Sequence, residues 1–363
     1  MKNILLLVPR MNIGGAESYV ALVARSLKSL DYNIFIASAG GALAVELQKE
    51  GIKHFFLPIR LSKYISGILL KRIIKKYNIE IIHANSEAAG IVAVKTRQKY
   101  NLDIPIVYTA HGVLPAKVKD IINQVDKIIA VSNFSREAAI KEGFSANKIE
   151  VVYNGVDIEK FKPNRQNKNL LRKKYNIPQE AFTMIIVSRI KNLRNKGHQH
   201  LLDVLKIYEV SKKWHLVVIG KGKGFSDLKK KIKEYHLQDR VHLLGHKTDV
   251  ENYIDIADVM VLPSYFETFG LVLAEGMAMQ KPAIAFNVGG IGEVISDKET
   301  GFIVKYNNDD DLLNKINILA QDKDLCSKMG INARKKVEKD FANQIMIKKI
   351  IEVYNEIIDN KTN

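Results

Sequence analysis

The strongest constraint on this chain is an alternation that runs through it twice. Short apolar runs at 4–8, 34–38, 54–57, 79–83, 106–109, 127–131 and 149–152 are separated by amphipathic stretches such as 18–30 and 42–50. Runs this short and continuously apolar read as strands buried on both faces. Helices between them return the chain so that successive strands join in parallel. The pattern then degrades. Residues 158–178 are polar, rich in Asn and Lys, and contain Pro163 and Pro178, which makes them the linker candidate. A second series follows at 183–188, 215–219, 241–244, 259–262, 282–286 and 301–304. The last amphipathic segment, 345–358, has no strand after it. A chain of 363 residues suits two domains. The expected fold is therefore α/β, with two Rossmann-like domains facing a cleft.

Composition narrows the class. Hydrophobic residues make up 47% of the chain, enough for real cores, but no apolar run approaches the roughly 18 residues of a membrane span. The run 4–8 meets Pro9-Arg10 without a small-residue cleavage site, so it reads as a first strand and not a signal peptide. A single cysteine, Cys326, excludes an internal disulfide framework and a Cys-based metal site. A cytoplasmic enzyme is expected. Net charge is +17, and residues 1–164 contribute 23 Lys/Arg against 14 Asp/Glu, so the excess is shared by both halves. Such a surface favours anionic partners: nucleotides, anionic lipid or nucleic acid. No aromatic-basic platform supports the last, and no nucleic-acid partner is expected.

In doubly wound sheets ligands sit at the carboxyl ends of the strands. Pro263-Ser264-Tyr265-Phe266-Glu267-Thr268-Phe269-Gly270-Leu271-Val272-Leu273-Ala274-Glu275 follows such a strand and enters a helical pattern that stops at Lys281-Pro282. Thr268 is the candidate N-cap. It would leave the N–H groups of Phe269, Gly270 and Leu271 unpaired at a helix start, where anions bind. Glu267 falls in the loop and Glu275 about two turns into the helix. The stretch reads as an anion site whose carboxylates grip hydroxyls, or as an ordinary βα turn with solvated glutamates.

Other strand ends carry candidates. Gly14-Gly15, within Asn12-Ile13-Gly14-Gly15-Ala16-Glu17, opens the first helix and lets backbone approach a phosphate or sugar. The spacing is not G-x-G-x-x-G, which disfavours a nicotinamide cofactor. His111 ends the run 106–109, where it can donate to a substrate oxygen. Arg189 and Lys196 lie on one βα loop, and together a guanidinium fork and an ammonium point charge suit a diphosphate. Gly220, Gly289-Gly290 and Thr300-Gly301 mark further turns. Taken singly, each also fits a plain turn, a backbone-satisfied histidine or a solvated basic loop.

In order, Gly14-Gly15-Ala16-Glu17, His111-Gly112, Asn154-Gly155-Val156-Asp157, Arg189, Lys196-Gly197, Gly220, Pro263-Ser264, Glu267-x7-Glu275, Gly289-Gly290-x2-Glu293 and Thr300-Gly301 resemble glycosyltransferase family 4, retaining enzymes of the GT-B fold. The resemblance spans residues 1 to about 340. It is most specific at the Glu-x7-Glu element between Pro-Ser and Phe-Gly. The chain departs where the family often has Gly or Ser (Thr268), Ala (Gly276) and Gly (Gln280). What the resemblance implies is as follows. Residues 1–164 bind the acceptor, 165–340 bind the nucleotide-sugar, and the helix in 341–363 packs back on the first domain. Arg189 and Lys196 hold the diphosphate, and Glu275 takes the ribose hydroxyls. Glu267, with the N–H groups of Phe269, Gly270 and Leu271, holds the donor sugar and distal phosphate. Gly220 and the backbone at Gly245-His246 complete the donor site. Gly14 and Gly15 approach the phosphate from the other domain, and His111 reaches the donor sugar. The catalytic set is His111, Glu267, Arg189 and Lys196.

Charge in such a transfer builds up on the leaving phosphate, and two cations with a helix start can stabilise it as a metal would elsewhere. No Asp-x-Asp ends a strand, so metal-independent transfer without a cofactor is expected. Retention without an obvious protein nucleophile suggests front-face attack, with the leaving phosphate taking the acceptor's proton. The donor is expected to be a nucleotide-sugar, UDP-linked by family habit, and the acceptor a glycan or lipid-linked glycan of bacterial surface polysaccharide or lipopolysaccharide. The stretch 60–76 has six basic residues and no acidic ones, with Ile65, Ile68, Leu69 and Ile73 on one helical face. It reads as a helix at an anionic membrane, placing the enzyme at the inner face of the cytoplasmic membrane, or as a core-packed helix with a solvated basic side. Two other readings stand beside the transferase: a sugar-nucleotide epimerase or hydrolase, and a nucleotide-sugar-binding protein without catalysis.

Overall fold

The computed structural model describes residues 2–12, 14–207 and 213–362; Ile13 of the first glycine motif lies outside them. The chain forms two compact units, Met1–Gly155 with Asn343–Asn363, and Val156–Ala342.

The first unit is built on β1 (Asn3–Leu7), β2 (Asn33–Ser38), β3 (Lys53–Phe56), β4 (Ile81–Ala84), β5 (Ile106–Ala110), β6 (Lys127–Ala130) and β7 (Ile149–Val151). All are parallel, in the order β3-β2-β1-β4-β5-β6-β7. Alternate residues feed opposite faces, as the strand period of two requires. Leu5, Leu7, Ile82, Ile106, Tyr108 and Ile128 join one core, and Ile4, Leu6, Ile34, Ile81, Val107 and Ile129 the other. The second core is closed by the helix Gly15–Lys28 and by the C-terminal helix Asn343–Thr362. Met346, Ile347, Ile350, Val353, Tyr354 and Ile357 supply the latter's buried stripe at helical spacing. The last helix thus belongs to the first unit.

The second unit contains β8 (Phe182–Val187), β9 (Trp214–Ile219), β10 (Val241–Gly245), β11 (Val259–Leu262), β12 (Ala283–Phe286) and β13 (Gly301–Val304). Its parallel order is β10-β9-β8-β11-β12-β13. In both units the order reverses beside the first strand, between β1 and β4 and between β8 and β11. That reversal opens a crevice at the carboxyl ends.

Two expectations change. The break between units falls at Gly155–Val156 and not at 164, and the polar stretch 158–178 is part of the second unit. Arg165–Lys174 is a helix whose Arg172 is buried, donating to the carbonyls of Ile256, Gln179 and Ala181 and to Asp258. Polar residues that bond inward look like a linker when only composition is read. In the basic helix Lys63–Lys76, Ser66, Leu70, Ile73 and Ile74 face the core, while Ile65 is half exposed. The expected stripe of Ile65, Ile68, Leu69 and Ile73 is thus split: Ile73 is buried and Leu69 packs partly buried against the core, while Ile65 is half exposed. Among the described residues no helix is long and apolar enough to cross a membrane.

Candidate active site

The second unit gathers most of the candidates at one sheet edge. Arg189 emerges two residues after β8, exposed, and its guanidinium makes no hydrogen bond or ion pair with any described residue. The loop then runs to Lys196 and returns against β11. Gly197 makes this possible: it has φ +80°, and a Cβ there would sit 2.0 Å from the Pro263 carbonyl oxygen. The two loops are also joined by the Tyr265 N–H, which donates to the Asn195 carbonyl at 3.2 Å. As a result the Lys196 ammonium lies 2.5 Å from Glu267 Oε1, which also accepts from Ser264 Oγ at 2.8 Å. The Gly290 N–H fixes the same loop by donating to the Glu267 carbonyl at 3.0 Å. Both side chains of the ion pair are mostly covered. Glu267 Oε2 has no described partner, so one carboxylate oxygen remains for a ligand hydroxyl.

The helix start beyond Glu267 differs from the expectation. The helix is Leu271–Ala278, and its N-cap is Gly270 at φ 90°, ψ 48°, not Thr268. A left-handed residue turns the chain into the helix there, and only glycine adopts that geometry at no cost. The N–H groups without an intrahelical acceptor are consequently those of Leu271 and Val272, and the Leu273 N–H reaches back to the Gly270 carbonyl at 2.9 Å. Phe269 is not at the site surface; its ring is buried and packs edge-on against Phe341 at 5.3 Å. Glu275 is the fifth helical residue, just over one turn in, not two. It is half-buried, and its carboxyl group makes no hydrogen bond or ion pair with a described residue. Burial pushes it up to about 7, nearby Lys160 opposing and Glu251 adding to the rise.

Gly220 follows β9, and its N–H donates to the Gly245 carbonyl at 2.8 Å. This seats it beside the end of β10, where His246 is exposed. Two departures from the family pattern acquire a reason. Gln280 has φ 58°, a left-handed position that glycine fills without strain. A Cβ at Gly276 would lie 2.0 Å from Met260 Cγ, so the small residue makes room for this methionine. His198 was not selected from the sequence. It is 1% exposed, its Nε2 is 3.3 Å from Ser188 Oγ, and burial with Lys196 nearby lowers it to about 4. Its place beside Lys196-Gly197 was the available signal. The imidazole is neutral and ties the start of the Arg189 loop to the start of the next helix.

In the first unit Gly14 is extended at φ 179°, which any residue adopts, and leads into the helix at Gly15. A Cβ on Gly15 would meet nothing within 4 Å, leaving open space beside the backbone. His111 follows β5, with Nε2 3.4 Å from Asn85 Oδ1 and its ring edge-on to Tyr19 at 4.7 Å. Burial lowers it to about 4. Beneath it, His83 Nε2 meets Thr109 Oγ1 and His83 Nδ1 meets the Tyr354 hydroxyl, both at 2.6 Å. Both units therefore place candidates at carboxyl strand ends: Gly14, Gly15 and His111 in one, Arg189, Lys196, Gly220, His246, Glu267 and Glu275 in the other.

Comparison with known proteins bears on both units. Residues 13–160 match the family described as Glycosyltransferase Family 4, and residues 167–336 the family described as Glycosyl transferases group 1. The UDP-Gal:alpha-D-GlcNAc-diphosphoundecaprenol alpha-1,3-galactosyltransferase of Escherichia coli is 26% identical, over 92% of this chain and 91% of its own. Among solved structures, a glycosyltransferase from Rickettsia africae superposes with TM-score 0.87 at 28% identity, covering 99% of both chains. HepE of Anabaena, in complex with UDP and glucose, has the same fold, with TM-score 0.87 at 23% identity over 98% of this chain and 100% of its own.

Proposed function

The chain belongs to glycosyltransferase family 4 and has the GT-B architecture of two Rossmann-like domains, and from that premise we propose that it moves a sugar from a UDP-sugar to a glycan or lipid-linked acceptor, with retained anomeric configuration and without a metal, in the assembly of bacterial surface polysaccharide or lipopolysaccharide. One observation carries the reading: Lys196 and Glu267 meet at 2.5 Å at the carboxyl ends of β8 and β11, where the strand order reverses. A helix start lies immediately beyond. The UDP in the Anabaena structure and the lipid-linked acceptor in the Escherichia coli enzyme's name point to the same donor and acceptor classes.

In this reading Arg189 and Lys196 bind the diphosphate, and the N–H groups of Leu271 and Val272 add two donors where negative charge grows as the sugar leaves. Glu267 is held by Lys196 and Ser264 and turns its second oxygen toward a donor-sugar hydroxyl. Glu275 takes the ribose diol, Gly220 and His246 border the base, and Gly14 and Gly15 leave room for phosphate or sugar. His111 is neutral and can hydrogen-bond the donor sugar. The acceptor attacks on the face the phosphate leaves. The new C–O bond forms as the C–O bond to phosphate breaks, and a phosphate oxygen takes the acceptor's proton. Cations and a helix start supply the electrostatic role a metal plays elsewhere.

Thermal-shift screening with UDP-, GDP- and ADP-sugars tests the donor; stabilisation by a GDP-sugar and not by UDP-sugars sinks the choice of base. Proton NMR of the first product reports its anomeric configuration, and inversion rejects retention. Activity lost to a chelator and restored by Mg²⁺ rejects metal-free transfer. An anionic membrane is the proposed surface partner. Leu61 and Tyr64 are strongly exposed (79% and 67%) beside Arg60, Lys63 and Ile65. Flotation with phosphatidylglycerol vesicles checks it, and no binding at low salt rules it out.

A further inference from the structure

The amino-terminal edge of the second sheet holds a cavity that the transfer chemistry does not use. Its volume is about 1210 Å³. Phe182 opens β8, Asp258 immediately precedes β11 and Lys281 stands two residues before β12, and all three line the cavity. Arg189, Lys196, Glu267 and Glu275 follow β8 and β11 instead, beyond the opposite ends of the same strands. Further walls come from the helices Arg165–Lys174, Asp309–Gln321 and Lys323–Lys336. Ile177, Phe182, Ala257, Met279 and Leu319 make much of the lining apolar. A space of this size, with apolar walls and a few convergent polar groups, suits a small molecule.

The charges around it do not balance. Three cations, Lys168, Arg172 and Lys281, line it with two carboxylates, Asp255 and Asp258. Asp258 serves two of the cations: Oδ1 is 2.8 Å from the Lys168 ammonium and Oδ2 is 3.0 Å from the Arg172 guanidinium. The rest of that guanidinium donates to the carbonyls of Ile256, Gln179 and Ala181, so Arg172 has no donor left for a ligand. Asp255 Oδ2 accepts from the Asn164 N–H at 2.6 Å, and Oδ1 lies 3.8 Å from the Lys281 ammonium, beyond hydrogen-bond distance. Among the described residues Lys281 makes one hydrogen bond, a long one of 3.3 Å to the Asp255 carbonyl. Its side chain is only 12% exposed. An ammonium carries three donors, and burying them without acceptors is unfavourable.

We infer that this cavity is a second ligand site, for a small amphiphilic carboxylate whose anionic head meets Lys281 and whose apolar body lies against Phe182, Met279 and Leu319. One compact ammonium matches a single carboxylate, whereas the planar fork of a guanidinium suits bidentate anions. The excess cation selects the head and the apolar walls select the body. Burial, with the Lys168 ammonium nearby, lowers Lys281 to about 8 against the opposing pull of Asp255 and Asp258, and an anion beside it relieves that cost. The site stands apart from the donor-sugar reading and does not depend on it.

Equilibrium dialysis of the full chain with labelled octanoate at about pH 7 tests the inference. One octanoate should bind per chain, with Kd between about 10 μM and 1 mM for a ligand of this size. Octanol and octylamine share the apolar body and should bind at least about tenfold more weakly. Lys281→Met keeps the stem and removes the charge; it should weaken octanoate about tenfold or more and leave octanol as it was. Ser327 lines the rim and is exposed, so Ser327→Trp narrows the mouth without entering the core and should weaken both ligands. Saturating UDP-glucose should displace neither. No octanoate bound at about 10 mM, equal affinity for octanol or octylamine, or displacement by UDP-glucose overturns the inference. So does octanoate binding that neither substitution changes, which puts the ligand elsewhere, such as on the exposed apolar residues of the helix Lys63–Lys76. Should Lys281→Met fail to fold, the charge selectivity of the wild type and the effect of Ser327→Trp decide.

Discussion

Arg189→Ala separates binding from folding more cleanly than any other substitution in this chain. The Arg189 side chain is exposed and has no hydrogen bond or ion pair with a described residue, so its removal should change stability by no more than about 0.5 kcal/mol. If its guanidinium grips a diphosphate, removing each charge-assisted hydrogen bond costs about 1.5–3 kcal/mol, which is roughly 10- to 150-fold in Kd. Lys196→Ala differs in kind. Its ammonium is 2.5 Å from Glu267 in a pair whose side chains are only 26% and 12% exposed. Coulomb attraction at that distance is about 7 kcal/mol at an effective dielectric near 20, but desolvation offsets most of it. Breaking the pair leaves Glu267 with Ser264 alone and should cost about 1–3 kcal/mol of stability besides a similar weakening of donor binding. Urea denaturation and calorimetric titration with the best-bound nucleotide measure the two quantities independently. Unchanged affinity in both variants rejects the phosphate site. A stability loss in Lys196→Ala with intact affinity would make the ion pair purely structural.

Glu275→Gln should trade function for stability. The folded protein holds this carboxyl group at about 7, above its ordinary value, so the native state binds the extra proton between about pH 4.5 and 7. Stability from this group is therefore full at low pH and lost as pH rises to about 7. The variant should gain about 2–3 kcal/mol at pH 8, nothing at pH 4, and lose nucleotide affinity; denaturation at the two pH values checks the sign. Tyr354→Phe leaves the buried His83 Nδ1 without its partner and should cost about 1–3 kcal/mol, loosening the C-terminal helix in hydrogen exchange. Gly276→Ala puts a methyl group 2.0 Å from Met260 Cγ and should cost about 1–3 kcal/mol, which Met260→Val partly restores.

The strands were legible because those of a parallel sheet are covered on both faces. Burial writes itself into the sequence as short apolar runs such as 4–8 and 259–262, close to β1 and β11. The linker was misplaced for the complementary reason. Arg172 and Lys168 satisfy themselves on Ile256 and Asp258, about 90 residues away in sequence, and no local pattern reveals that partner. The buried face of the helix Lys63–Lys76 was only partly legible: Ile73 belongs to it as expected, but it also includes Ser66, a small polar residue packed against the core.

At the site the division is similar. Residue types and their order along the chain placed Arg189, Lys196, Glu267 and Glu275 at strand ends, since connectivity alone puts every βα loop at one edge of a parallel sheet. Only the tertiary structure paired Lys196 with Glu267, because that contact depends on β8 and β11 being neighbours and on Gly197 fitting against Pro263. Only it moved the helix cap from Thr268 to Gly270, since the choice is made by backbone torsion and not by capping preference. And only it brought Lys160 beside Glu251. Electrostatic environment is a property of distance in space, and sequence records distance only along the chain.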